Sequence, residues 1–229
     1  LFLLNGVGKY TVLVKAATPA PIVTPTPTPV PTPTPKPIPE GGFKADFHVA
    51  VSQDQVFVAD RRSAQVRVYN RGGNYQSERN AERLGTEDIS GIAVNGNLIF
   101  LTDRFNHRVT VFTINGQYVN KWGTEGSAEG QFKEPGDIVV EGNTVFVIDT
   151  GNNRVQIFGL GGTFQSAWGS LGDGEKQFNR PTGIGVEKNT VYVVDTGNHR
   201  VQFFTHQGTF IGEWGSKGRG TGNFIEPSS

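Results

Sequence analysis

Asp149-Thr150-Gly151-Asn152-Asn153-Arg154-Val155 is a short polar turn between two apolar runs. Before it stands Thr144-Val145-Phe146-Val147-Ile148, and after it Val155-Gln156-Ile157-Phe158. Runs of this length, rich in β-branched and aromatic residues and joined by a Gly/Asn turn, predict a β-hairpin. Working outward, Asp137-Ile138-Val139-Val140 is another apolar run, closed by the turn Glu141-Gly142-Asn143. On the far side, Gly159-Leu160-Gly161-Gly162 leads into Thr163-Phe164-Gln165-Ser166-Ala167-Trp168. That last run alternates more strictly and reads as an outer, half-exposed strand. The unit is therefore an antiparallel meander of four strands.

The unit repeats. Asp103, Asp149 and Asp195 stand 46 residues apart, as do Trp122, Trp168 and Trp214, Phe132, Phe178 and Phe224, and Pro135, Pro181 and Pro227. A first, eroded copy lies upstream, where Asp60 precedes Asp103 by 43 residues and Val66-Arg67-Val68-Tyr69 aligns with Val109-Thr110-Val111-Phe112. It lacks the tryptophan. Four repeats, at about 43–86, 87–134, 135–180 and 181–226, follow from these markers. A period in this range with four strands per unit is the mark of a β-propeller. The second strand, apolar on both faces, fits stacked blades that cover one another.

Asp103-Arg104-Phe105-Asn106-His107-Arg108-Val109, Asp149 to Val155 and Asp195-Thr196-Gly197-Asn198-His199-Arg200-Val201 resemble the NHL repeat. So do the lead-in from Pro181 to Val186 and the closing Trp-Gly pairs. The first repeat departs from the motif, with Ser63, Ala64 and Gln65 at the Asn, His and Arg positions, so its turn is expected to be held differently. The resemblance implies an all-β, six-bladed ring, of which four blades are present. Phe224-Ile225-Glu226-Pro227 repeats the lead-in to a further blade, and the chain is read as truncated. Open blade faces at the two ends of such a piece are expected to favour self-association.

Upstream the character changes. Ten of the 13 prolines fall between Pro19 and Pro39, interleaved with threonine, which predicts an extended polyproline linker over residues 18–42. Thr-Pro tracts are also common O-glycosylation substrates outside the cell. Residues 1–17 contain Gly8-Lys9-Tyr10-Thr11-Val12-Leu13-Val14, an alternating strand that resembles the final strand of an immunoglobulin-like or PKD-type sandwich domain. The propeller is expected to occupy residues 43–229.

Composition narrows the chemistry. There is no cysteine, which excludes disulfides, thiolate metal sites and cysteine nucleophiles. Net charge is zero over the whole chain, and from Phe43 onward 18 basic side chains face 20 acidic ones. Some NHL propellers bind RNA on an electropositive face. The basic residues of the first repeat, Arg61, Arg62, Arg67, Arg71, Arg79 and Arg83, are interleaved with Asp54, Asp60, Glu78 and Glu82, so nucleic acid is not an expected partner.

The pairs Asp103/Arg108, Asp149/Arg154 and Asp195/Arg200 sit at the two ends of one tight turn. Catalysis needs one site, whereas a brace needs one copy per blade, so these pairs read as structural braces. Asn106, Asn152 and Asn198 read as left-handed turn residues beside Gly151 and Gly197. Trp122, Trp168 and Trp214 read as packing between blades. His107 and His199 recur at one repeat position, and neither they nor the Gly-rich connectors match a zinc, phosphate or EF-hand motif. No metal, no cofactor and no catalytic residue is expected. Residues that break the repeat, Arg61, Arg62, Arg104 and Phe105, are the candidates for a binding loop.

The expected function is a non-enzymatic extracellular or cell-surface module that binds protein or glycan through its loop faces. The resemblance carries an alternative, because related propellers include lyases and lactonases with a metal in the central channel.

Overall fold

A computed structural model describes residues 46–228, apart from 53, 62 and 82–84. These residues fall within one compact unit of the chain, Pro35–Ser229. The N-terminal strand and the proline-rich linker read from the sequence lie outside the described residues, as does Arg62.

Four antiparallel four-stranded sheets follow one another along the chain, each a meander in sequence order. The first contains β1 (Phe47–Val51), β2 (Gln55–Asp60), β3 (Gln65–Asn70) and β4 (Tyr75–Asn80). The second contains β5 (Ile89–Asn95), β6 (Leu98–Asp103), β7 (Arg108–Thr113) and β8 (Tyr118–Trp122). The third contains β9 (Pro135–Glu141), β10 (Thr144–Asp149), β11 (Arg154–Gly159) and β12 (Phe164–Trp168). After the short parallel pair β13 (Ser170–Leu171) and β14 (Gln177–Phe178), the fourth contains β15 (Gly183–Glu187), β16 (Thr190–Asp195), β17 (Arg200–Thr205) and β18 (Phe210–Trp214). The first strands of successive sheets lie side by side, β1 against β5, β5 against β9 and β9 against β15. This is the arrangement of propeller blades around an axis.

The second strands of the two middle blades, β6 and β10, are buried on both faces, whereas β2 and β16 at the two ends are only half-buried on one. The alternation of β10 divides its side chains between two cores. Val145 and Val147 of β10 pack with Phe100, Val109 and Val111 of the preceding blade. Phe146 and Ile148 pack with Ile184, Val191, Val193 and Phe204 of the following one. Period-two geometry is what sends neighbouring side chains to opposite faces. A single blade cannot cover either face by itself, so stability lies in the junctions.

The outer strand closes each junction. Trp122 of β8 lies 5.8 Å from the ring of Phe158 on the next blade, and Trp168 of β12 lies 4.3 Å from Phe204. Trp214 of β18 stacks instead on Phe203 and Tyr192 of its own blade and is 44% exposed. At the opposite end, Phe47, Val49 and Val51 of β1 are exposed. No helix among the described residues is long and apolar enough to cross a membrane.

Candidate functional site

The turn between the second and third strands of each blade is built on a buried aspartate. In the third blade Asp149 Oδ2 accepts hydrogen bonds from Arg154 Nε at 2.8 Å, Asn152 Nδ2 at 2.9 Å and Gln156 Nε2 at 3.0 Å. Its Oδ1 accepts the Lys133 backbone N–H at 2.8 Å. The fourth blade repeats the set with Asp195, Arg200, Asn198, Gln202 and the Asn179 N–H. Arg154 and Arg200 also donate to connector carbonyls, Ala128 and Gln131 in one case, Gly174 and Gln177 in the other. The carboxylates are fully buried, so only such dense pairing makes their charge tolerable. In the second blade the set is thinner: Asp103 bonds Asn106, while Arg108 approaches no closer than 3.4 Å.

Gln156 and Gln202 belong to this network and were missed in the sequence, although their 46-residue spacing marks them. The left-handed turn position also differs from expectation. It falls on His107, Asn153 and His199, one residue beyond Asn106, Asn152 and Asn198. The reason is that Asn152 and Asn198 close a 3-10 turn and spend their amides on the aspartate and on the carbonyls of Gly126 and Gly172. Gly151 and Gly197 are needed for close approach: a Cβ there would lie 2.8 Å from Lys133 O and 2.6 Å from Asn179 O. His107 and His199 each use Nδ1 to accept a connector N–H, from Glu134 and Glu226, both at 3.0 Å.

Around the mouth of the axis, two repeat positions meet. One follows each repeated aspartate and holds Arg61, Arg104, Thr150 and Thr196. The other stands before the inner strands and holds Asp46, Asp88, Glu134 and Arg180, with Glu226 at the equivalent position after the fourth blade. In the first two blades the positions form ion pairs, Arg61 with Asp88 at 2.6 Å and Arg104 with Glu134 at 2.5 Å. In the last two, the threonines donate to the carbonyls of Pro181 and Pro227, both at 2.8 Å. Arg180 therefore stands where the other blades carry an acid. Its N–H bonds Asn153 Oδ1 at 2.8 Å, while its exposed guanidinium has no hydrogen-bond partner among the described residues.

A cavity of about 540 Å³ opens at this mouth, where Arg61, Arg104 and Arg180 line it together with the carboxylates of Asp46 and Glu134 and with Thr182. The hydrogen bond from Arg104 holds the Glu134 carboxyl below its usual range, so it is ionised at neutral pH. Burial, and after it the charge of Arg61, lowers the pKa of His48, which is neutral there. The hydroxyl of Thr182 bonds Thr196 Oγ1 at 2.7 Å, and that of Ser90 donates to Pro135 O at 2.6 Å. Guanidinium groups with adjacent hydroxyls are suited to recognising carboxylate, sulfate or phosphate oxygens.

Of the binding-loop candidates, Arg61 and Arg104 border the cavity. Phe105 is 67% exposed and does not line it. Arg180 was not singled out in the sequence, although a break in sign at a repeat position was there to be seen. Among the described residues, no three His, Cys, Asp or Glu side chains cluster so as to hold a metal ion.

Radial four-stranded blades with a repeated Asp–Asn–Arg turn define a repeat β-propeller. A family profile described as a 6-bladed beta-propeller matches residues 79–168, and the NHL-repeat profile matches residues 178–204. These two matches support an NHL-repeat β-propeller family for the chain. No curated protein matches it in sequence. Similar solved structures include the computationally designed Ika8 protein, at 15% identity and a TM-score of 0.51, covering 79% of this chain and 50% of that one. Glutaminyl cyclase of Myxococcus xanthus is similar at 12% identity and a TM-score of 0.54, covering 72% of this chain and 68% of that one. Virginiamycin B lyase from Staphylococcus aureus follows at 13% identity and 0.56, with coverages of 72% and 54%. The chain thus spans between 50% and 68% of the length of these three. At such identities the likeness speaks for the fold alone.

Proposed function

We propose that the propeller is a non-enzymatic binding module of extracellular or cell-surface type, which holds an acidic group of a protein or glycan ligand at its axial mouth. The observation that carries this reading is the exposed guanidinium of Arg180, without a hydrogen bond among the described residues, at a rim position where the other blades carry an acid. Arg61 and Arg104 flank the same cavity in salt bridges with Asp88 and Glu134, whereas Arg180 acts on Glu134 through its charge alone and keeps its hydrogen-bond donors for a ligand. The Thr-Pro tract from Thr24 to Pro35 supports the surface placement, since such tracts serve as stalks.

The test is binding of the full chain to panels of acidic and neutral oligosaccharides and peptides, in parallel with Arg180→Glu. Ligands retained by the native chain, lost at raised salt and lost in the variant support the reading. Absence of any such ligand, or retention unchanged by the variant, would overturn it.

The alternative is a propeller enzyme of the lyase or lactonase type with a channel metal. Its support is that two of the similar structures are a cyclase and a lyase. Stoichiometric metal in the purified chain together with lactone or lyase turnover would favour it. An RNA-binding role has less support, since acidic side chains outnumber basic ones from Phe43 onward.

A further inference from the structure

We propose that the junction between the first and second blades is a binding site for a planar aromatic small molecule of about the size of indole. The later junctions are each filled by three rings. Trp122 and Phe132 both lie against Phe158, at 5.8 and 5.6 Å. Trp168, Phe178 and Phe204 repeat that cluster, with centroids 4.3 to 5.9 Å apart. The first junction keeps only one of the three, Phe112.

Strand register identifies what replaces the other two. Val109 pairs with Trp122 and Val155 with Trp168, and in the first blade Val66 pairs with Arg79. Arg79 thus holds the tryptophan slot. Pro135 pairs with Asp149 and Ile89 with Asp103; three residues before each stand Phe132 and Thr86. Thr86 thus holds the phenylalanine slot, fully buried, with an Oγ1 that has no hydrogen-bond partner among the described residues.

Arg79 crosses the neighbouring turn glycine as the tryptophans do. A Cβ on Gly116 would lie 2.4 Å from Arg79 Cδ, one on Gly162 2.6 Å from Trp122 Cδ2, and one on Gly208 2.4 Å from Trp168 Cγ. The guanidinium is then tied to carbonyls, Nε to Ile114 O at 3.1 Å and Nη1 to Glu78 O at 3.0 Å. A side chain so tethered cannot fill the space of an indole. What remains is a cavity of about 490 Å³ walled by Val66, Ile99, Leu101 and Phe112, all buried, with Arg79 and Asn115 also lining it. Its volume lies in the range of about 300–1,000 Å³ typical of small-molecule sites. An aromatic guest would regain the ring contacts of the other junctions and present a face to the planar guanidinium.

The test is a titration of the full chain with 5-fluoroindole, followed by fluorine NMR linewidth and by melting temperature. Saturable broadening and a rise in melting temperature are expected for the native chain. Arg79→Trp restores the repeat residue, fills the cavity and is expected to weaken binding by about tenfold or more. Asn115→Trp, at an exposed lining position, should also weaken it while sparing the packed walls, and decides the matter if Arg79→Trp misfolds. No saturable binding up to the solubility limit of the probe, or equal binding in native and folded variant chains, would overturn the proposal.

Discussion

Asp149 accepts the backbone N–H of Lys133, sixteen residues earlier, at 2.8 Å, and so locks the connector from the preceding blade onto the hairpin of its own. The same carboxylate holds Arg154, Asn152 and Gln156, so a junction, a turn and a strand share one buried charge. Removing it leaves a guanidinium and two amides without their acceptor. Asp149→Ala is expected to cost about 3–5 kcal/mol in urea unfolding, the scale for breaking a buried pair. Asp103→Ala should cost clearly less, because Arg108 stands 3.4 Å away and Thr110 occupies the glutamine position. Equal losses would show that the additional bonds of Asp149 do not contribute.

Arg104 and Glu134 behave differently. Both are partly exposed, at 33% and 46% of their side-chain surface. Solvent screening limits such a pair to about 1 kcal/mol or less. Arg104→Ala is therefore expected to shift the unfolding midpoint little, whereas Arg200→Ala, which strips Asp195 of its guanidinium, shifts it substantially. This contrast matters for the axial mouth: variants at its rim should alter ligand binding without disturbing the blades.

Trp168 and Trp214 occupy one repeat position in two settings. Trp168 is 5% exposed and packed on Phe204, while Trp214 is 44% exposed and stacks on Tyr192 and Phe203 of its own blade. Trp168→Ala should cost about 3–5 kcal/mol, the range for a large aromatic removed from a core. Trp214→Ala should cost a fraction of that in the same chain. A large loss for Trp214→Ala would mean that something covers the fourth blade in solution, which sedimentation velocity would reveal as association.

Periodicity made the blades legible, because four markers at one spacing leave few other architectures. It also hid what distinguishes them. Arg79, Thr86 and Arg180 are informative only as departures from a pattern. The 46-residue spacing of Glu134, Arg180 and Glu226 exposes the third, but in the eroded first repeat one must know the strand register before seeing which slots Arg79 and Thr86 fill. Gln156 and Gln202 carried the signal openly, yet a glutamine inside a strand reads as a solvent-facing residue until its neighbour is a buried aspartate. The left-handed turn position was misplaced by one residue for a related reason. Asparagine tolerates that geometry, but here its amide is engaged by Asp149 or Asp195, and the backbone turns at the following residue.

Asp137 of β9 carries the remaining titration. Its carboxyl accepts N–H bonds from Ile138 at 2.9 Å and from Ile184 of the fourth blade at 3.3 Å. Desolvation outweighs these bonds and raises its pKa to about 6, against an ordinary value of 3.8. Between those values the folded chain binds the proton more tightly than the unfolded one. Stability from this group is therefore full below the ordinary value, falls as pH rises through the interval, and is flat above about 6. The ceiling on the change is about 3 kcal/mol. Asp137→Asn keeps an oxygen acceptor and removes the charge, so it is expected to match the native chain near pH 4 and exceed it at pH 7. Titration of all other groups is common to both proteins and cancels in the difference. Unfolding midpoints measured in parallel between pH 4 and 7 provide the check: a difference that does not widen with pH would show that Asp137 ionises in the folded blade without a penalty.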